Sequence, residues 1–286
     1  MTRYRLLVGV VLLALLAGLL AGCAQPATPQ VVTVKETVVV EKEVPVEKEV
    51  VKTVVVEKVV TPTPAPKGGE LTYGLTLIVS DIDPHSGASS ELGIFLTSVY
   101  DPLVWRDQEG NYHPGLAKSW EISDDGKVYT FRLRSDVKFH DGTPFTNPDF
   151  KSNKAKYMMG PYDHTEVVDD YTVKVYFKEP YAPFLDSVSQ VYLAIASPKA
   201  LQEWGNEKYR EHQVGTGPFM MAEYVAKDHI VLVKNPDYNW APEFMMHQGP
   251  AYLDKITFRF YPDAATRAPA LESGEVQIMG EIPPVD

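Results

Sequence analysis

The chain has 286 residues, 44% of them hydrophobic, and its part from Lys67 to Asp286 is long enough for one large or two small hydrophobic cores. Its 38 acidic residues outnumber 27 basic ones for a formal net charge of −11. A phosphate backbone would be repelled and no basic stripe interleaved with aromatics appears, so no nucleic-acid partner is expected.

Met1 to Gly22 places Arg3 and Arg5 ahead of an apolar run from Leu6 to Leu20, too short and too early for a comfortable membrane span. It reads as a signal peptide. Leu20-Ala21-Gly22-Cys23 resembles the bacterial lipobox, which implies that Cys23 takes a diacylglycerol before cleavage. Cys23 is the only cysteine, so it forms no intramolecular disulfide. Several acyl chains on one residue hold a protein to a bilayer, so the mature chain is expected outside the cytoplasmic membrane, lipid-anchored and facing the extracellular or periplasmic side. From Val31 to Val60 valine fills 15 of 30 positions, with six glutamates and five lysines. Two states stay open there: extended chain, favoured by β-branched residues, or a helix laced by Glu–Lys pairs, which Pro45 would break. With the proline spacer Thr61 to Pro66, residues 23–67 read as a stalk independent of the fold. Setting aside leader and stalk leaves 20 basic and 32 acidic residues in Lys67 to Asp286.

Glu70 to Val79 alternates as a strand and ends in the turn Asp81-Ile82-Asp83-Pro84-His85, where the residue before proline is held extended. Leu92, Phe95, Leu96 and Val99 have the spacing of one helix face, and Tyr100 to Val104 ends that helix and starts a strand. Ala117 to Phe145 reads as a strand, turn, strand, turn module. Trp120 and Ile122 alternate with polar neighbours, as do Tyr129, Phe131 and Leu133; Asp124-Asp125-Gly126 and Asp141-Gly142 supply the turns. Thr146-Asn147-Pro148-Asp149 has the form of a capping box opening a helix. Further strands are expected at Tyr171 to Phe177, Val191 to Ala196, Ile230 to Val233, Ile256 to Phe260 and Val276 to Met279. Helices are expected at Pro198 to Trp204, opened by proline, and at Ala264 to Leu271, capped by Ser273-Gly274-Glu275. In Val214-Gly215-Thr216-Gly217-Pro218-Phe219 the glycines permit backbone bends and close approaches; a nucleotide loop is excluded, since no Lys-Ser or Lys-Thr follows.

The ordered set Trp120, Asp125-Gly126, Tyr129 to Arg134 and Val137 to Thr146 resembles the signature of the extracellular solute-binding proteins of peptide and nickel ABC importers, family 5. The turn Ile82-Asp83-Pro84-His85, the run Val214 to Phe219 and Asn235-Pro236-Asp237-Tyr238-Asn239-Trp240 resemble further markers of that family, the last with one residue inserted. A departure lies after the capped helix, where relatives carry a longer helical insert. The resemblance implies an α/β fold of the type II periplasmic-binding kind, with mixed sheets in two lobes: 68–95 and 185–286 in the first, 96–184 in the smaller second. It implies a ligand strip at Leu77, Ile78, Val79 and Ser80 that pairs main chain to main chain with a peptide, although apolar Leu77 to Val79 equally suit an ordinary core strand. It gives Gly215, Thr216 and Gly217 as the crossing, or hinge, between lobes. The resemblance is still running at Gly274 to Ile278, where relatives continue for a comparable length. The chain therefore reads as the N-terminal half, truncated before the C-terminal lobe, with an uncovered apolar face and weak binding alone.

Of the seven histidines, none pairs with another at the three- or four-residue spacing of a helical metal site, and no metal or cofactor is expected. His140 beside Asp141 imitates a dyad, but adjacent strand residues point to opposite faces. Gly-x-Ser-x-Gly is absent and Cys23 is committed to lipid, so no catalytic residue is assigned. The reading is a lipid-anchored receptor that captures oligopeptides or similar small solutes for permease subunits of an ABC importer. A sugar or metal-chelate receptor of the same fold, and a secreted hydrolase, are the alternatives.

Overall fold

The computed structural model describes residues 32–36, 56–60, 68–79, 81–87, 89–146 and 155–284. The leader, Cys23, the proline spacer, Ser80, Ala88 and Asn147 to Asp149 of the expected capping box lie outside the described residues. The chain divides into two compact units between Ala65 and Pro66. In the first, β1 (Val32–Glu36) and β2 (Val56–Val60) pair antiparallel, Val32 opposite Val60. Of the two states open to this valine-rich stretch, these segments take the extended one, as β-branched residues favour.

In the second unit a four-stranded sheet has the order β6 (Ala117–Ile122), β7 (Val128–Leu133), β9 (Thr172–Phe177), β8 (Tyr162–Asp169), all neighbours antiparallel. The β6–β7 hairpin turns through Gly126 at φ 69°, a left-handed conformation that favours glycine. Ser123 closes the turn by accepting the Val128 amide on its hydroxyl at 2.9 Å. Tyr129, Phe131 and Leu133 are buried, as their alternation requires, with Val173, Val175 and Phe177 from β9 beside them. Phe184, on α3 (Phe184–Val188), meets Tyr129 and Phe177 edge-on at 4.9 and 4.8 Å. Each such side chain contributes on the order of 1.5–3 kcal/mol by leaving water. Ile122, expected inward with Trp120, is 45% exposed. It ends an edge strand, with a neighbour on the β7 side alone. Strand β8 went unread in the sequence because it too lies at an edge and is mostly exposed, so no apolar period of two marks it.

The second sheet has five strands in the order β10 (Phe219–Val225), β11 (His229–Lys234), β12 (Lys255–Phe260), β3 (Glu70–Leu75), β13 (Ile278–Met279). It is mixed: β3 runs parallel to β12 and β13, while β10, β11 and β12 form an antiparallel meander. Helix α1 (Leu92–Val99) lays Leu92, Phe95, Leu96 and Val99 onto this sheet, and Phe95 contacts Phe258 at 6.0 Å. A short pair, β4 (Val104–Arg106) and β5 (Tyr112–Pro114), precedes the hairpin. Helix α2 is Ala155–Met158, α4 is Pro198–Lys208 and α5 is Ala264–Glu272. Ser197 caps α4 by accepting the Ala200 amide, and Asp263 caps α5 through the Ala265 amide.

Two expected strands are corrected. Val191 to Ala196 is a 3-10 turn (Val191–Leu193) followed by irregular chain. Its side chains part company: Val191 and Ala194 join the core under the five-stranded sheet, Leu193 and Ile195 the core under the four-stranded one. An apolar run crossing between two cores is buried on all sides and so imitates a strand. The expected strand Glu70 to Val79 stops at Leu75, because the main chain beyond is taken over by side chains, as described next. Among the described residues no helix is long and apolar enough to cross a membrane.

Candidate functional site

The first candidate is the stretch leaving β3. Thr76 and Leu77 turn their amides to the Glu91 carboxylate, each at 2.8 Å, and the Thr76 hydroxyl donates to the same group. Arg267, on α5, donates to the Thr76 carbonyl at 3.1 Å. Beyond this point Leu77 is 50% and Ile78 40% exposed, whereas Val79 is 1% exposed and belongs to the core under the five-stranded sheet. The three described residues of the strip are therefore unlike: two face outward and one anchors. Among the described residues no main-chain hydrogen bond reaches Ile78 or Val79. The following turn is self-bonded: Asp81 accepts the Asp83 amide and the Ser86 hydroxyl, and Asp83 accepts the His85 amide at 2.7 Å. His85 reaches Ala194 O at 2.8 Å, tying the turn to the crossing segment. Asp81, Asp83 and Ser86 also line a depression of about 340 Å³ opposite Asn206, Glu207 and Arg210.

The second candidate is the run Val214 to Phe219. A Cβ on Gly215 would lie 2.1 Å from Val99 O, and one on Gly217 2.6 Å from Ser98 O, so close backbone approach demands glycine at both. Gly217 N donates to Val99 O at 2.9 Å. Thr216 is buried and donates its hydroxyl to Asp101 at 3.0 Å. Asp101 also accepts from the Tyr238 hydroxyl and the Trp240 indole, each at 3.0 Å. Burial raises the Asp101 carboxyl to about 6, against the pull of the bonds from Trp240, Thr216 and Tyr238. The buried Tyr238 phenol is pushed up by desolvation and by the Asp101 charge.

His140 also lies against this run, its amide donating to Gly215 O at 2.9 Å. Its Nδ1 accepts the Gly215 amide at 3.3 Å, which leaves the proton on Nε2 to bond Gly217 O at 3.0 Å. Burial lowers its pKa to about 4, matching a neutral ring. Asp141 points elsewhere, accepting the Ser197 hydroxyl at 2.5 Å and the Thr143 hydroxyl at 2.6 Å. Burial acts to raise the Asp141 carboxyl, but the bonds from Ser197 and Thr143 outweigh it and hold the pKa low. The two neighbours thus form no dyad.

Helix α1 links the two candidates: Glu91 at its start holds Thr76 and Leu77, and Val99 at its end accepts Gly217. Nothing in the sequence gives Glu91 or Arg267 a role, and Asp101 stands there only within the stretch Tyr100 to Val104 that ends the helix. Tyr238 and Trp240 stand in a motif it quoted, without a role. Cys23 and Ser80 lie outside the described residues. Among the described residues no group of three or more His, Cys, Asp or Glu is placed to hold a metal ion.

The model of the bacterial extracellular solute-binding proteins, family 5 Middle, matches residues 111–286. The glutathione-binding protein GsiB of Escherichia coli O1:K1 / APEC is 33% identical over 214 residues, 71% of this chain and 40% of that protein. Among solved structures, the ABC transporter-associated periplasmic binding protein DppA from Helicobacter pylori, in complex with peptide STSA, superposes with a TM-score of 0.65 at 32% identity, over 76% of this chain and 47% of that one. NikA from Brucella suis, in complex with Fe(III)-EDTA, gives 0.60 at 31% identity, over 73% and 42%. The chain thus spans less than half the length of these relatives. Its fold is α/β with mixed sheets, of the type II periplasmic-binding kind. With more than half of its residues matching the family model and the fold in agreement, the chain belongs to the bacterial extracellular solute-binding proteins, family 5.

Proposed function

We propose that this chain is the solute-capturing part of an ABC importer, taking oligopeptides or similar small solutes and presenting them to permease subunits in the membrane. Binding without turnover is the reading, with Cys23 as the lipid anchor. The lobes are 68–95 with 185–286, and 96–184, and Gly215, Thr216 and Gly217 carry the crossing between them. Leu77, Ile78 and Val79, with Ser80, form the strip that meets the ligand.

One observation carries the ligand class. At the end of β3, an interior strand of the mixed sheet, Leu77 and Ile78 are exposed, and the main-chain groups of Ile78 and Val79 have no partner among the described residues. A peptide reads such a strip by strand addition, donor to acceptor, without regard to its own side chains. Sugars and chelates offer no repeating amide to match it. The relatives described with glutathione and the peptide STSA support this choice, and the one described with Fe(III)-EDTA makes a chelate the competing ligand to test.

Amide-resolved NMR of the 286-residue chain, titrated with a short alanine-rich peptide, a disaccharide and an iron–EDTA chelate at millimolar concentration, tests it. Peptide-specific shifts of the Ile78 and Val79 amides are expected. Shifts there with the chelate or the sugar alone, or peptide shifts confined to other regions, would overturn the ligand class.

A further inference from the structure

Strands β3 and β12 run parallel as far as Leu75 and Phe260. The Tyr261 amide still bonds Leu75 O at 2.7 Å, and there the ladder ends. Diverging strands release main-chain donors and acceptors into a buried place, where each must be satisfied. Here the two kinds are sorted by charge. The freed amides of Thr76 and Leu77 go to Glu91. The freed carbonyls of Tyr261, Pro262 and Thr76 all go to Arg267, at 2.9, 3.1 and 3.1 Å.

Both side chains are buried, each 8% exposed. Among the described residues neither forms an ion pair; each charge is answered by main-chain dipoles. Glu91 stands at the N-terminus of α1, where an acidic side chain ordinarily bonds its own helix, yet it makes no capping bond there. The two charges meet on one peptide unit. That joining Thr76 to Leu77 gives its N–H to the carboxylate and its C=O to the guanidinium. Its plane cannot rotate without breaking a charge-assisted bond on either side, and those are about twice as strong as neutral ones.

We infer that Glu91 and Arg267 are positioning residues for the ligand strip: together they pin the Thr76–Leu77 peptide and so fix where Ile78 and Val79 present their main-chain groups. The link to a ligand rests on the peptide-receptor reading above; the clamp does not. Arginine suits the task because a planar fork spans three carbonyls, whereas a lysine ammonium is a point charge.

The test is hydrogen exchange of individual amides, followed by peptide titration, in the wild-type chain and in Glu91→Gln, Arg267→Lys and Thr76→Val. In the wild type the Leu77 amide should exchange at least tenfold more slowly than that of Ile78, as a bond to a buried carboxylate requires. Glu91→Gln and Arg267→Lys should each speed Leu77 exchange roughly tenfold and weaken peptide-induced shifts at Ile78 and Val79, while amides within β10, β11 and β12 keep their positions. Thr76→Val removes only the hydroxyl bond and should leave Leu77 exchange unchanged. Rapid Leu77 exchange in the wild type overturns the clamp even if a variant fails to fold. So does unchanged Leu77 exchange in both charge variants. Leu77 responding as expected while no peptide shifts Ile78 or Val79 upholds the clamp and counts against the receptor reading alone.

Discussion

Asp101, which is buried, and His140, which is partly buried, both bond the Gly215 to Gly217 run, and desolvation moves their pKa values in opposite directions. Desolvation raises Asp101 from 3.8 to about 6, so the folded state holds its proton more tightly than the unfolded chain does. Its contribution to stability is present in full below 3.8 and is lost as pH rises through about 6. Desolvation lowers His140 from 6.5 to about 4, so its contribution is present above 6.5 and is lost as pH falls through about 4. Each amounts to about 3 kcal/mol across nearly the same window, and the two offset one another. The expected outcome is a wild-type stability that changes little between these limits. Asp101→Asn should leave stability falling towards acid, and His140→Gln should leave it rising towards acid. Urea titrations at several pH values check both slopes; parallel profiles for the three proteins would refute the argument.

At the scale of elements, α1 and the crossing segments do the organising. The helix carries its apolar face on the five-stranded sheet, holds the end of β3 by Glu91 and receives the glycine run at Val99. Contact that close leaves no room for a side chain. Gly215→Ala or Gly217→Ala must push Ser98 and Val99 away and is expected to cost about 3 kcal/mol or more, the range of core overpacking with broken main-chain bonds. Gly142 makes the useful contrast. A Cβ there meets nothing within 4 Å, but its φ of 79° is left-handed, so Gly142→Ala is expected to cost only about 1–2 kcal/mol. Thermal unfolding of the three variants checks the order; equal losses would mean that strain, not contact, sets the cost.

At the scale of the whole molecule, the proposed receptor joins a solute-binding unit to a lipid anchor. If Cys23 carries acyl chains, cells fed labelled palmitate should label the wild-type protein and not Cys23→Ala, whose uncleaved leader should leave it the larger of the two on a denaturing gel. Equal labelling of the two proteins would assign the acyl chains to another residue.

Local chemistry sufficed for part of this. The β6–β7 hairpin was legible because Gly126 and the alternation Tyr129, Phe131, Leu133 are short-range signals, and α1 was legible because its four buried residues keep one helical face. Gly215 and Gly217 were legible as places of close approach, though what approaches them was not. The tertiary structure alone decided the rest. Glu91 and Arg267 are 176 positions apart in sequence, and each alone is an ordinary surface residue type. They become a clamp only because β3 and β12, distant in sequence, run parallel and then part, leaving buried amides on one side and buried carbonyls on the other. Asp101 likewise owes its raised pKa to burial, which the sequence does not show, and the bonds from Thr216, Tyr238 and Trp240 that pull against that rise come from far along the chain. Val191 to Ala196 misled for the same reason: burial on all sides leaves no period in the sequence, and which core takes each side chain is settled only when the two cores exist.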